Sequence, residues 1–242
     1  MPDSISLIFL AHNEALTIEK EIKLFYEEII QKIPGSEFII AEDGSTDETT
    51  QIIQKLVKEL GVIHLTSKEK KGYAKALKDA VLFAKNDYIF FSDTGLKNDP
   101  KDFWKLYKNK EKFDLIVGRK LNRKDQFYRK LLTNGYNFFI RKYFGFNNIY
   151  DSDSGFRLFN KKVVEKVFKK DLFFKNLIGS EIVLRAVLQD LKYCEVPISY
   201  FQRQGVSRGM PVKKIPKIIL GSFSNLARLK REFWELNNAK RV

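Results

Sequence analysis

The chain has 242 residues, with 44 Lys and Arg against 30 Asp and Glu, for a formal net charge of +14. At 44% hydrophobic it can bury the core of one large α/β domain, with length to spare for a small appendage. The basic surplus favours an anionic partner (a phosphorylated substrate, an anionic membrane or nucleic acid) or serves solubility, and a lone cysteine, Cys194, excludes an internal disulfide.

Residues 6–10, Ser-Leu-Ile-Phe-Leu, form an apolar run that reads as a first buried strand, followed by the polar turn Ala11-His12-Asn13-Glu14. Ile18, Ile22, Phe25, Ile29 and Ile33 then recur at helical spacing as far as Pro34-Gly35. Residues 37–41 predict a second strand, ending in Glu42-Asp43-Gly44. Ser45, with Glu48 three residues on, predicts a capping box for the next helix, which Ile52, Leu56 and Leu60 carry to Gly61. A short strand over 62–66 and a charged loop ending Lys71-Gly72 precede a helix whose face is Ala74, Leu77, Val81 and Ala84. Tyr88-Ile89-Phe90-Phe91 predicts a central strand hidden on both faces, running straight into Asp93. Asp99 and Pro100 read as an N-cap and a first helical residue.

This β-α alternation implies a Rossmann-like, parallel first half. Glu14, Glu42, Asp43 and Asp93 all follow strands, so they should gather along the sheet edge where open α/β sheets bind ligands. A carboxylate there meets a divalent cation or a sugar hydroxyl; alternatively Asp93 only caps a turn. No G-x-G-x-x-G follows the first strand and no G-x-x-x-x-G-K-[ST] occurs, so neither a dinucleotide enzyme nor a P-loop NTPase is indicated.

In the second half, Phe103 and Leu106 mark a short helix, and residues 114–118 a strand ending at Arg119. A long aromatic-rich helix is predicted over 124–144. Arg129, Thr133 and Asn137 lie four apart on one stripe of it, suited to an anion or to a solvated face. Residues 151–157 form a polar turn before a strand, Ser180-Glu181 opens an apolar helix, and 193–201 reads as the last strand. From Pro211 on, Ile215, Ile219, Leu226, Leu229 and Phe233 interleave with Lys213, Lys217, Arg228 and Lys230. Such a basic amphipathic segment suits an anionic membrane interface, or packing on the domain or on a second subunit. No apolar run approaches the ~20 residues of a membrane span, and no signal peptide is expected. The basic residues form no recognised reader module, so nucleic acid is not expected as a partner.

Together these residues resemble family 2 glycosyltransferases of the GT-A fold, nearest to the polyprenyl-phosphate (dolichol-phosphate) mannosyl- and glucosyltransferases. The likeness covers about residues 4–208. It rests on Ala11-His12-Asn13-Glu14, on Glu42-Asp43-Gly44-Ser45-Thr46-Asp47 and on the segment from Lys71-Gly72. It continues through Asp93-Thr94-Gly95-Leu96-Lys97-Asn98-Asp99-Pro100 at a D-x-D-x-Q-x-x-P position, Gly118-Arg119, and Arg129 with Thr133 and Asn137. It ends in Asp151 to Arg157, like D-x-x-S-G-F-R, then Glu195-Val196-Pro197-Ile198, and Arg203 with Gly205, Ser207 and Arg208. The resemblance implies a GT-A domain over 1–208, with a mixed, mostly parallel Rossmann-like sheet flanked by helices, and a basic amphipathic helical tail over 209–242.

It also implies roles. Ala11, Asn13, Glu14 and Asp43 would hold the nucleotide's base and ribose, with Glu42, Lys71 and Gly72 alongside. Asp93 would face the diphosphate and a Mg2+ or Mn2+ ion. Arg119, Arg129, Thr133, Arg203 and Arg208 would line the phosphate pocket, with Asp151 and Ser207 near it, and Glu181 stands at an acidic position of the family. Gly95 and Lys97 replace usual metal ligands, so a metal should bind weakly or be dispensable. Either Lys97 supplies counter-charge, or Asp93 and Asp99 still hold an ion. The implied activity is inverting transfer of a sugar from a nucleoside-diphosphate sugar to a polyprenyl phosphate or other lipid acceptor. An acceptor that is already anionic needs cations to grip it more than a base. The site would be cytoplasmic, peripheral to the membrane face, with a separate membrane-protein partner or a homo-oligomer left open. The alternatives are transfer to a glycan hydroxyl, with Glu181 or Asp153 as base, and a non-catalytic nucleotide-sugar-binding module with a degenerate D-x-D.

Overall fold

The computed structural model describes residues 2–67, 69–121, 127–204 and 215–239, without the side chains of Phe127, Arg129, Leu236, Asn237 and Ala239. Strands β1 (Ile5–Ala11), β2 (Glu37–Asp43), β3 (Ile63–Ser67), β4 (Tyr88–Asp93), β5 (Leu115–Lys120), β6 (Phe156–Asn160) and β7 (Tyr193–Ile198) form one sheet, ordered β3-β2-β1-β4-β6-β5-β7. β1 to β4 are mutually parallel, β6 runs antiparallel to both β4 and β5, and β7 is parallel to β5. The helices are α1 (Ile18–Glu28), α2 (Thr49–Leu60), α3 (Tyr73–Phe83), α4 (Phe103–Tyr107), α5 (Phe127–Phe144), the single turn α6 (Lys161–Val163), α7 (Ile178–Val187) and α8 (Ile215–Ala239). The mixed, mostly parallel α/β sheet is the expected one.

The two-residue period of the strands decides which helix each residue meets. Leu7 and Phe9 of β1 and Phe90 of β4 join the core under α1, α2 and α4, with Ile22, Phe25, Leu56 and Phe103. Ile8, Ile89 and Phe91 point the other way, into the core with Leu77 of α3, Ile182 of α7 and Leu226 and Leu229 of α8. Phe90 packs 4.8 Å from both Phe103 and Phe156, ring centre to ring centre.

Two helix starts test the local reading. Asp99 does cap: its carboxylate accepts from the Lys101 amide at 2.9 Å, and Pro100 opens a 3-10 turn. The Ser45–Glu48 capping box does not form. Glu48 makes no side-chain cap bond, and Asp47 accepts from the Thr49 amide at 3.0 Å instead. Ser45 is drawn away because its hydroxyl accepts from the Asn13 amide at 3.1 Å, tying the turn after β1 to the turn after β2.

α8 is anchored along its second half. Leu226, Leu229 and Phe233 are buried. Glu232 takes both terminal nitrogens of Arg185 at 3.1 Å, and Lys230 donates to the Tyr143 carbonyl at 2.7 Å. Its first half leaves Leu220 and Phe223 exposed. Among the described residues, no helix is long and apolar enough to cross a membrane.

Candidate active site

The parallel strands end on one rim, and β6 enters from that rim because it runs backwards. β4 therefore delivers Asp93 beside the turn that precedes β6, and the Asp93 amide donates to the Gly155 carbonyl at 2.7 Å. A Cβ at Gly155 would collide with the Asp93 carboxylate. The turn after Asp93 is left-handed at Gly95 (φ +105°) and at Leu96 (φ +53°). A left-handed leucine costs on the order of 1 kcal/mol. Glu21 of α1 holds the turn in place: fully buried, it accepts from the Gly95 amide at 2.7 Å and the Leu96 amide at 3.0 Å. Burial pushes the Glu21 carboxyl up to about 7, against the pull of those two amides.

The Asp93 carboxylate is itself framed. Tyr73, at the start of α3, donates to Oδ1 at 3.1 Å, and the Lys97 ammonium lies 3.2 Å from Oδ2. Burial works against its charge, but Lys97 and Lys120 outweigh it and keep this carboxyl below the ordinary range. Asp43, at the end of β2, accepts from the amides of Lys71 and Gly72, the latter at 3.0 Å. The next residue is Tyr73, so one short segment joins Asp43 to Asp93.

Other expected residues sit close by, in roles the sequence did not foretell. Asn13 has φ +52° and its side chain accepts from the Thr46 amide at 2.6 Å, while Ala11 is buried at the end of β1. Glu42 is engaged by Thr50 at 2.6 Å and His64 at 2.7 Å. Lys71 pairs with Asp79 at 3.0 Å on the surface. Arg203 does not present its guanidinium freely to a phosphate. Its Nη2 grips both oxygens of buried Glu14, 2.6 Å from Oε2. Arg119 lies over the ring of Tyr150 at 4.5 Å, with Arg141 at 4.9 Å from the same ring. Lys120, one residue on and so on the other face of β5, acts on Asp93 together with Lys97 and on Asp153 together with Arg157. The side chain of Arg129, and residues Ser207 and Arg208, lie outside the described residues.

Glu181 is fully buried, and its carboxylate accepts from the Phe173 amide at 3.0 Å, the Phe174 amide at 2.7 Å and Arg185 Nε at 2.8 Å. Both oxygens are committed, which corrects the reading of Glu181 as a base: it holds the 173–174 loop.

Beside the acidic turn, α5 and α8 enclose a cavity of about 500 Å³. Leu131, Leu132, Tyr136, Ile218, Ile219 and Phe223 line it, with Thr133 on its wall and Lys120, Asp151 and Asp153 at its polar part. Asp151 accepts from the Lys120 amide at 3.1 Å, and its own amide donates to Glu195 at 2.9 Å. Burial, with Asp93 and Asp151 adding to it, pushes the Asp153 carboxyl up to about 6 against Arg157 and Lys120.

A divalent ion is poorly served by these residues. Among the described residues, no three Asp, Glu, His or Cys side chains gather into a metal-binding group. Gly95 offers no carboxylate, Asp99 is occupied as a cap, and an ammonium rests on Asp93. The donor set does not fit an ion held by the protein, which prefers several carboxylate oxygens.

Sequence reading missed Glu21 and Lys120, and placed Tyr73 and Gly155 in motifs without giving them a role. Glu21 left a signal: it falls on the apolar stripe of α1, between Ile18 and Phe25, where an acid requires a partner.

Comparison with known proteins gives the class to which this α/β sheet belongs. Residues 6–168 match the model of Glycosyl transferase family 2, and the chain belongs to that family and is a glycosyltransferase. Its fold is shared with glucosyl-3-phosphoglycerate synthase from Mycobacterium tuberculosis, solved with Mn2+ and UDP-glucose. The TM-score is 0.70 at 14% identity, over 94% of this chain and 79% of that one. In sequence it is similar to glycosyltransferase AglD of Haloferax volcanii, 26% identical over 98% of this chain. It is also similar to the dolichyl-phosphate beta-glucosyltransferase of Dictyostelium discoideum, 24% identical over 83% of this chain and 67% of that enzyme. The chain spans 38% of the length of AglD.

Proposed function

We propose that the chain transfers a sugar from a nucleoside-diphosphate sugar to a polyprenyl phosphate at a membrane surface, with inversion at the anomeric carbon. The observation that carries the reading is the apolar cavity between α5 and α8 with Lys120 and Asp153 at its polar part. An isoprenoid tail gains about 25 cal/mol per Å² of apolar surface removed from water there. Its phosphate then arrives beside Lys120 and within reach of the turn that carries Asp93. A phosphate oxygen attacks the anomeric carbon, the bond from that carbon to the diphosphate breaks, and its electron pair leaves with the diphosphate oxygen. The nucleophile is already an anion, so no base is required, in keeping with the committed state of Glu181. Lys97 and Lys120 offset the leaving charge. Similarity to dolichyl-phosphate beta-glucosyltransferases supports the acceptor class. The Mn2+ of the neighbouring structures is not carried over to this donor set.

Membrane attachment, peripheral and on the cytoplasmic face, is supported by Leu131, Phe138, Leu220 and Phe223, which are exposed on α5 and α8, and by the net charge of +14. In this reading residues 1–208 carry the chemistry, and within the tail 209–242 it is α8 that walls the acceptor cavity and meets the lipid.

One observation favours a second acceptor class. Asp153 lines the cavity, where a hydroxyl acceptor would meet its carboxylate, and burial raises that carboxyl to about 6, which suits a base. Incubating the purified chain with labelled nucleotide sugars and polyprenyl phosphate decides between them. Label in the organic phase, with the opposite anomeric configuration by NMR, supports lipid transfer. Label that moves only to sugar or phosphoglycerate hydroxyls favours the second class, and no transfer from any donor refutes both.

A further inference from the structure

We propose that Lys97 is the built-in counter-cation of the donor diphosphate, so that this chain binds a nucleoside diphosphate without a divalent ion. The inference rests on the nucleotide-sugar reading above and sharpens it. Its first support is position. The Lys97 ammonium lies 3.2 Å from Asp93 Oδ2, and the two side chains stay 17% and 25% exposed, open to a ligand at the rim. The second is that the backbone under Lys97 is fixed. The Phe201 amide donates to the Lys97 carbonyl at 2.8 Å, the Gln204 amide donates to the Gly95 carbonyl at 3.2 Å, and Glu21 holds the amides of Gly95 and Leu96. An ammonium on such a turn needs little reorganisation when an anion arrives. The third is exclusion. At Gly95 (φ +105°) an added Cβ would come within 3.0 Å of Arg203 Nη1, and that guanidinium is locked by Glu14. A carboxylate-bearing residue at position 95 would therefore need a strained backbone and a shift of Arg203 by a few tenths of an ångström. Charge works the same way: a divalent ion at Asp93 would meet the Lys97 ammonium, 3.2 Å from that carboxylate, and the field of Lys120.

Calorimetric titration of the full chain with UDP, GDP, ADP, CDP and dTDP, each in EDTA and in Mn2+, tests this. The expected result is one nucleotide that binds in EDTA within about threefold of its affinity in Mn2+. Lys97→Gln should weaken binding in EDTA roughly tenfold or more, with Mn2+ recovering part of the loss. Binding by the unmodified chain only in Mn2+ overturns the proposal but leaves the nucleotide site standing. Equal binding by Lys97→Gln and the unmodified chain in EDTA also overturns it. Binding of no nucleotide in either condition overturns the donor reading and this proposal together.

Discussion

On the wall built from β1, β2 and β4, the acids are committed before any ligand arrives: Asp43 to two backbone amides, Glu14 to Arg203, Glu21 to the Gly95–Leu96 turn and Asp93 to Tyr73 and Lys97. On the wall built from α5 and α8 there is space instead, lined by leucine, isoleucine and aromatic side chains, with few polar groups at one part. The first wall can hold a ligand of fixed shape because its own bonds already define the geometry. The second selects by apolar area and volume, which accommodates a long, repetitive chain better than a single hydrogen-bonded pose.

Substitutions on each wall should therefore fail differently. Asp93→Asn on the committed wall has the largest expected effect, lowering transfer by about 10²-fold or more in a labelled-donor assay. Gly155→Ala comes next: the methyl group meets the Asp93 carboxylate, so urea unfolding should show a loss of about 1–3 kcal/mol. An unchanged midpoint would mean the committed wall is softer than its bonds suggest. On the spacious wall, Gly135 has no atom within 4 Å of an added Cβ and lines the cavity. Gly135→Leu should raise the KM for polyprenyl phosphate roughly tenfold and leave nucleotide affinity alone.

The pH dependence is subtler. Glu21 titrates near 7 in the fold against an ordinary value of 4.5, so the folded state holds its proton more tightly. The stability it contributes is complete below 4.5 and is lost as pH rises through 7. Glu21→Gln should flatten that part of the curve of melting temperature against pH. Leu220→Glu, on the exposed face of α8, has the smallest expected effect, weakening binding to anionic vesicles several-fold with transfer to short-chain acceptors unchanged.

The sheet was legible because the apolar runs and helical stripes of the first half obey their periods without interruption. The run from Tyr88 to Phe91 is buried on both faces except for Tyr88 at its start, as the sequence suggested. The motif acids also fell on one rim, since each lies at or just past a strand end. What stayed hidden was pairing. Nothing in residues 156–160 says that β6 runs backwards between β4 and β5, and that reversal is what sets Gly155 against Asp93. Nor could spacing tell whether Arg119 or Lys120 faces the cleft, because one residue of register exchanges the two faces of a strand. Arg203 looked available for a phosphate because its partner, Glu14, lies 189 positions away in the chain.

The Glu232–Arg185–Glu181 chain of charges runs from α8 through α7 to the loop at 173–174. Arg185 is only 2% exposed, so it relies on both carboxylates for neutrality. Anyone trimming this protein at the end of the sheet for crystallisation would strip one of those carboxylates from a desolvated guanidinium and lay bare the surfaces beneath Leu226, Leu229 and Phe233. The expected outcome is aggregation rather than a minimal enzyme, and size-exclusion profiles of forms ending before and after α8 would reveal it at once.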